Sequence, residues 1–397
     1  SGIPELADGV RWDGQDHAGA GEFRPRGGGL ADRFPFVVGC FAEDKKRCFH
    51  RSGEGEFQRA FLFVRHFDID QAAKGIGEGG AGRGDRSAWP SDSPIRGDAA
   101  ISYHPEPDGW TRRQFAGLDV AHRDETLAGL ASLSAPLPDA LGSQGERSVF
   151  MEIYASLARA HMERFGTTEF ELASVAAKNH AHSVHNPRSH FRKLFSVEEV
   201  LAARRVAWPL TVPMCSPVSD GAAAVIVTSA DFARRHDSSR RAAQVLGCSL
   251  VSGTDRTADD VESHIGRRAA MSAYEEAGVG PGDVDVAEVH DATAFGEVQQ
   301  VENLGFCPIG EGGAWSASGA SSLGGVRPVN PSGGLESRGH PVSATGLAQV
   351  FELVTQLRGQ AGRRQVPGAR IAVAENGGGL YGIEEAVAAV TILGGPR

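Results

Sequence analysis

Helical and strand periods succeed one another along the last two thirds of the chain. FMEIYASLARAHMER (150–164) reads as an amphipathic helix stopped by Gly166, and Thr167-Thr168-Glu169 caps a second helix over FELASVAAKNHAHS. A third helix is predicted over 197–203, and Asp220-Gly221 turns into AAAVIVTS, short and β-branched like a buried strand. Strands are predicted over 242–253, 284–292, 369–379 and 385–395, with helices over 259–277 and 293–304 between them. From Thr345 a further helix carries an apolar stripe of Leu347, Val350, Phe351, Val354 and Leu357 and stops at Gly359. Strands alternating with helices imply an α/β fold with a mostly parallel sheet covered on both faces. Functional residues of such sheets collect at the carboxyl ends of strands, where His290, Asp291, Glu375 and Asn376 fall.

Before residue 114 the pattern breaks. Residues 1–113 are dense in Gly, Arg, Asp and Ser, and their apolar runs are FPFVVGCF (34–41) and AFLFV (60–64). A segment that orders weakly, or one read in a shifted frame, has this composition. Three units are therefore expected: 1–113, 114–241 and 242–397.

A net charge of −10 over 397 residues excludes a nucleic-acid-binding surface, which needs concentrated Lys and Arg. No run approaches the ~18 apolar residues of a membrane helix, and no signal-peptide layout opens the chain, so a cytoplasmic protein is expected. The five cysteines Cys40, Cys48, Cys215, Cys248 and Cys307 form no CxxC pair. The histidines of 180–190, His180, His182, His185 and His190, lack the spacing of a helical zinc site, and no metal is expected.

The densest chemical signal is NPSGGLESRGHPVSATG (330–346). Gly333, Gly334 and Gly339 permit close backbone approach, and Pro341 separates His340 from the next helix. His340 is thus presented from a stiff turn near a helix N-terminus, a position that favours a developing anion. A hydrogen-bonded histidine in a glycine-rich turn is the alternative reading of those residues alone.

HDAT (290–293), the GHP turn (339–341) and AENGGG (374–379), read with VAAKNHAHSVHNP and PLTVPMCSPVSDGAAA, make the chain resemble the thiolase superfamily from about Gln114 onward. The resemblance is strongest to its sterol-carrier-protein-type (lipid-transfer) branch. It implies two βαβαβαββ halves with five-stranded mixed sheets in an α-β-α-β-α layering, a loop domain inserted in the first half, a homodimer, and acyl-coenzyme A as substrate rather than a bound cofactor. By the same resemblance His340 matches the histidine that activates a nucleophilic cysteine, and His290 helps bind a thioester oxygen. Glu375 and Asn376 line the same cavity. Gly339, Pro341, Asp291, Gly377, Cys215 and Arg188 are its expected substrate and coenzyme A contacts.

The chain departs from the family at three places. Ala292 replaces the cysteine of HDCF, Glu375 stands where other thiolases have the cysteine of CxGGG, and nothing before Gln114 resembles the CASG-type nucleophile turn. The leading expectation is an acyl-CoA acyltransferase of lipid or steroid side-chain metabolism, impaired if no thiol replaces the missing one. A cysteine-independent retro-aldolase on a CoA thioester, working with a small OB-fold and zinc-ribbon partner, is the second. An acyl-CoA or lipid-binding protein without turnover is the third.

Overall fold

The computed structural model describes residues 60–63, 98–104, 148–235 and 241–396. Cys40, Cys48, most of 1–113 and all of 114–147 lie outside the described residues.

Helices α1 (Val149–Phe165), α2 (Glu169–Ser183) and α3 (Val197–Ala202) come first among the described helices, and α4 (Ala230–Arg235) follows them. Gly166 ends α1 in the left-handed conformation, φ 83°, as its stop position requires. A capping box opens α2: Glu171 N donates to Thr168 Oγ1 at 3.2 Å and Thr168 N donates to Glu171 Oε2 at 2.8 Å.

A seven-stranded sheet runs in the order β2-β5-β1-β6-β9-β8-β7, comprising β1 (Ala60–Phe63), β2 (Asp98–His104), β5 (Gly221–Ser229), β6 (Ala243–Ser252), β7 (Val286–Glu288), β8 (Ile371–Gly378) and β9 (Val387–Gly394). Two short strands, β3 (Arg205–Ala207) and β4 (Leu210–Thr211), pair separately. Among the described residues only β7 and β8 pair in parallel, and the other pairings of the sheet are antiparallel. The sheet is therefore mixed, as the thiolase resemblance implies, and not mostly parallel as alternation suggested. The connection between β7 and β8 carries the helices, α6 (Ala294–Asn303), α7 (Gly312–Ala317), α8 (Gly334–Arg338) and α9 (Thr345–Leu357), and such a crossover returns the chain parallel.

Both faces of the sheet are covered. Ile265, Ala269 and Ala273 of α5 (Ile265–Ala277) pack with Val373, Val390 and Ile392. On the other face Leu353, Val354 and Leu357 of α9 pack with Ala372, Ala374 and Leu393. Alternation along β8 thus sends Val373 one way and its neighbours the other. A third core joins α1, α2 and α3 to Ala294, Phe295 and Val298 of α6.

Two elements are shorter than their patterns predict. The helix expected from residue 259 starts at Ile265, because His264 caps it, with Gly266 N donating to His264 Nδ1 at 3.1 Å. The strand over 284–292 stops at Glu288, where Val289 N turns to Asn330 Oδ1 at 2.9 Å. The stripe of α9 is also only half right. Leu347, Val350 and Phe351 are partly exposed, while the polar Thr345, Gln349, Glu352 and Gln356 are buried.

Candidate functional site

Parallel pairing of β7 with β8 puts the carboxyl ends of both strands at one edge, with Glu288 opposite Ala374. His290 leaves β7 two residues later and meets Asn376, two residues further along β8. The turn before α9 brings in His340, anchored by a parallel bridge to Val218. The rings of His290 and His340 lie edge to face, centroids 5.0 Å apart at 89°.

Hydrogen bonds set the proton on each ring. Gln349 Nε2 donates to the carbonyl of Glu375 at 2.9 Å, so Gln349 Oε1 is the acceptor for Asn376 Nδ2 at 3.1 Å. The Asn376 amide is thereby oriented, and the same Nδ2 donates to His290 Nδ1 at 3.1 Å. An accepting Nδ1 leaves the proton of neutral His290 on Nε2. Around His340 the logic reverses. Thr345 Oγ1 donates to the Pro341 carbonyl at 3.1 Å, so it accepts from His340 Nδ1 at 2.8 Å. Neutral His340 then carries its lone pair on Nε2. One ring offers a donor and the other a base.

Burial lowers the His290 pKa to about 4, with the Arg338 charge adding to the effect, so its neutral tautomer persists through ordinary pH. Glu375 is fully buried and pushed up to about 8, chiefly by burial and then by Glu385, although its Oε2 accepts from His290 N at 2.9 Å. Its Oε1 has no hydrogen-bond partner among the described residues. A carboxyl in this state can give or take a proton near neutral pH.

The other expected residues fall around this pair in different ways. Gly339 sits at φ 109°, and a Cβ there would come 2.6 Å from Ser219 Oγ, so the turn needs glycine. Pro341 lies against Gly221 at the start of β5, and Gly377 lets the Glu385 side chain approach. Asp291 is fully buried, its Oδ1 accepting from Leu335 N at 2.8 Å and its Oδ2 from Asn179 Nδ2 at 3.2 Å. It clamps the HDAT loop to the start of α8 and is placed as an anchor, turned inward. Cys215 bridges to Thr293 beside this loop, and burial pushes its thiol up, with Glu336 reinforcing the shift. A neutral thiol is a poor nucleophile. Arg188 is set apart, its guanidinium 4.9 Å from the ring of Phe351 in the middle of α9.

Two of the clustered histidines stitch α2 to its surroundings. His180 lies 3.1 Å from the Pro213 carbonyl and 3.0 Å from Ser337 Oγ, and His182 3.0 Å from the Asn330 carbonyl while it accepts from Leu323 N at 3.0 Å. Sequence reasoning missed Gln349 and Thr345, which orient the pair. Their signal is the polar series Thr345, Gln349, Glu352, Gln356, spaced for one face of an otherwise apolar helix.

A family model described as "Thiolase C-terminal domain-like" matches residues 252–394. The chain is 43% identical over 231 residues to sterol carrier protein 2 of Rattus norvegicus, an alignment covering 57% of this chain and 42% of that protein. It is 44% identical over 238 residues to an acetyl-CoA acetyltransferase of Methanothermobacter thermautotrophicus, covering 59% of this chain and 61% of that one. With non-specific lipid-transfer protein-like 2 of Caenorhabditis elegans it shares 38% identity over 280 residues, 64% of this chain and 68% of the relative. The chain thus spans less than half the length of the rat protein. A solved structure described as an Ltp2-ChsH2(DUF35) aldolase superposes with a TM-score of 0.55 at 26% identity, covering 62% of this chain and 64% of that one.

Proposed function

The chain belongs to the thiolase superfamily, in its sterol-carrier-protein branch, and from that premise we propose that it acts on acyl-CoA thioesters by Claisen-type acyl transfer. The observation that carries this reading is the pairing of the His290 and His340 rings, centroids 5.0 Å apart, with Asn376 Nδ2 against one Nδ1 and Thr345 Oγ1 against the other. His290 Nε2–H serves as a fixed donor to the thioester oxygen as it becomes anionic, and His340 Nε2 takes the proton of the attacking group. The attacking group, a thiol of the protein, forms a new C-S bond to the acyl carbon as the C-S bond to coenzyme A breaks, and the leaving coenzyme A thiolate is protonated by the resulting imidazolium. Homodimerisation, and a cytoplasmic place in lipid or steroid side-chain metabolism, belong to this proposal. Among the described residues no helix is long and apolar enough to cross a membrane.

A second reading has its own support in Glu375. With a carboxyl where the family's cysteine would stand, and a solved aldolase of the same fold, retro-aldol cleavage of a β-hydroxyacyl thioester fits the site. A base removes the hydroxyl proton, the Cα-Cβ bond breaks to release a carbonyl product, and His290 stabilises the thioester enolate, which is then protonated. In that case the chain would work with a small partner, as the aldolase structure pairs Ltp2 with ChsH2(DUF35).

Intact-mass measurement after incubation with an acyl-CoA tests the leading reading. It predicts a covalent acyl adduct that prior alkylation of thiols abolishes. Cleavage of a β-hydroxyacyl-CoA that survives alkylation, with no adduct, would transfer the assignment to the aldolase. Binding of acyl-CoA with neither outcome would refute both.

A further inference from the structure

Glu375 and Gly377 are two residues apart on β8, so both face the side of the sheet that α5 covers. The Glu385 side chain, from the turn between β8 and β9, occupies the space that a side chain at Gly377 would take. A Cβ at Gly377 would come 2.7 Å from Glu385 Cγ and 3.1 Å from its Oε1. Glu385 thus fills the next position along the strand from Glu375, a step of about 7 Å in the backbone.

Each carboxyl is anchored through one oxygen. Glu375 Oε2 accepts from His290 N, and Glu385 Oε1 accepts from Gln300 Nε2 at 3.3 Å. The Gln300 amide is itself oriented from beyond. Gly266 N donates to His264 Nδ1 at 3.1 Å, which makes that atom an acceptor for Asn303 Nδ2 at 3.0 Å, and the same Nδ2 donates to Gln300 Oε1 at 3.0 Å. The two remaining oxygens, Glu375 Oε1 and Glu385 Oε2, are buried with no hydrogen-bond partner among the described residues. Two such oxygens on one face of a sheet call for an explanation.

The groups around them do not supply a counter-ion. His264 Nε2, from the start of α5, stops 3.8 Å from Glu385 Oε2, too far for a hydrogen bond. The Arg256 guanidinium is paired with Glu384. Tyr154 of α1 lies in the field of both carboxyls: burial raises its pKa, and Glu385 and then Glu375 add to the rise. Glu385 and Tyr154 also line a crevice of about 50 Å³ that takes in the exposed Phe150 and Gly379 and has room for a water molecule.

We propose that Glu385 is a positioning residue for Glu375, the two buried carboxyls holding one proton between their partnerless oxygens. Glu375 is the member that meets His290, and Glu385 is the member that meets the crevice. A proton passing from Glu375 Oε1 to Glu385 Oε2 leaves the charge of the pair unchanged. The proposal deepens the retro-aldol reading, in which a carboxyl at this position takes or gives a proton, and it rests on that reading only for its part in turnover.

Infrared titration of the full chain, following the carbonyl stretch of a protonated carboxyl, tests the pair without turnover. In the parent a band should fade with a midpoint of about 8, and Glu375→Gln should remove it. Glu385→Gln keeps the shape and removes the neighbouring charge, so the midpoint should fall by about one unit or more. Glu385→Asp keeps the charge and should leave the midpoint raised. Gly377→Ala, whose Cβ displaces the Glu385 side chain, repeats the test should Glu385→Gln melt early, and should act in the same direction. A midpoint unchanged in both Glu385→Gln and Gly377→Ala, or a parent without the band, overturns the proposal. Failure to cleave a β-hydroxyacyl-CoA would refute the retro-aldol reading alone and leave the infrared result standing.

Discussion

The two ends of α9 are electrostatic opposites. At its N-terminal end His290, held near a pKa of 4, and Glu375, raised to about 8, are both uncharged at pH values between the two. Beside its C-terminal half stand the guanidiniums of Arg188, Arg241, Arg358, Arg363 and Arg364. One buried polar series serves both ends: Thr345 and Gln349 face the histidines, while Glu352 and Gln356 hold Arg364 and its loop. At the first end the direction of a hydrogen bond is controlled and charge is suppressed. At the other end arginine side chains are concentrated.

Breaking the neutral end should have the largest effects. His340→Ala removes the base and should lower acyl-CoA turnover by roughly 10³-fold, read from kcat at saturating substrate. Asn376→Asp is subtler. A carboxylate accepts from His290 Nδ1–H, reverses the tautomer and withdraws the Nε2–H donor, for a loss of roughly 10²-fold in kcat with the fold intact. If Asn376→Asp matched the parent, the tautomer argument would fail while a general role for His290 survived.

Gly339→Ala sharpens the same contrast through stability. The change forces φ 109° on a residue with a Cβ that would meet Ser219 Oγ, and should cost about 1–3 kcal/mol in chemical denaturation. The same end also sets the pH dependence of stability. Glu375 has its folded pKa above its unfolded value of 4.5, so the folded state holds the extra proton between about 4.5 and 8. Stability from this group is full below the unfolded value and declines as pH rises, by up to about 1 kcal/mol per unit. Glu375→Gln should flatten that decline. His290, lowered from 6.5 to about 4, acts in the opposite sense, with stability lost as pH falls through that window. The variant should keep this acid limb, and denaturation midpoints from pH 4 to 9 check both limbs.

Much of this was legible in the sequence because it is local. Gly166, Thr168 and the period of α1 and α2 act within a few residues, and His290, Glu375 and Asn376 follow from the rule that strand ends collect function. What could not be read depends on partners distant in the chain. The antiparallel course of β6, β8 and β9 is set by which strands become neighbours, and nothing in their residues states it. Asp291, expected to face substrate, is turned inward because Leu335 N and Asn179, 44 and 112 residues away, claim its oxygens. Gln349 was hidden by the apolar residues around it, though its spacing from Thr345 and Glu352 marks a polar face. Arg188 was expected to bind coenzyme A, and only the fold shows that four other arginines share its cavity.

The central claim is that the neutral rings of His290 and His340 carry their protons on opposite nitrogens. Nitrogen NMR of the full chain labelled at histidine, with each ring assigned through its own histidine-to-glutamine variant, tests it directly. The account predicts a protonated Nε2 on His290 and a protonated Nδ1 on His340, with the Asn376→Asp variant shifting the first to Nδ1. The same tautomer on both rings, or a charged His290 at neutral pH, would contradict it.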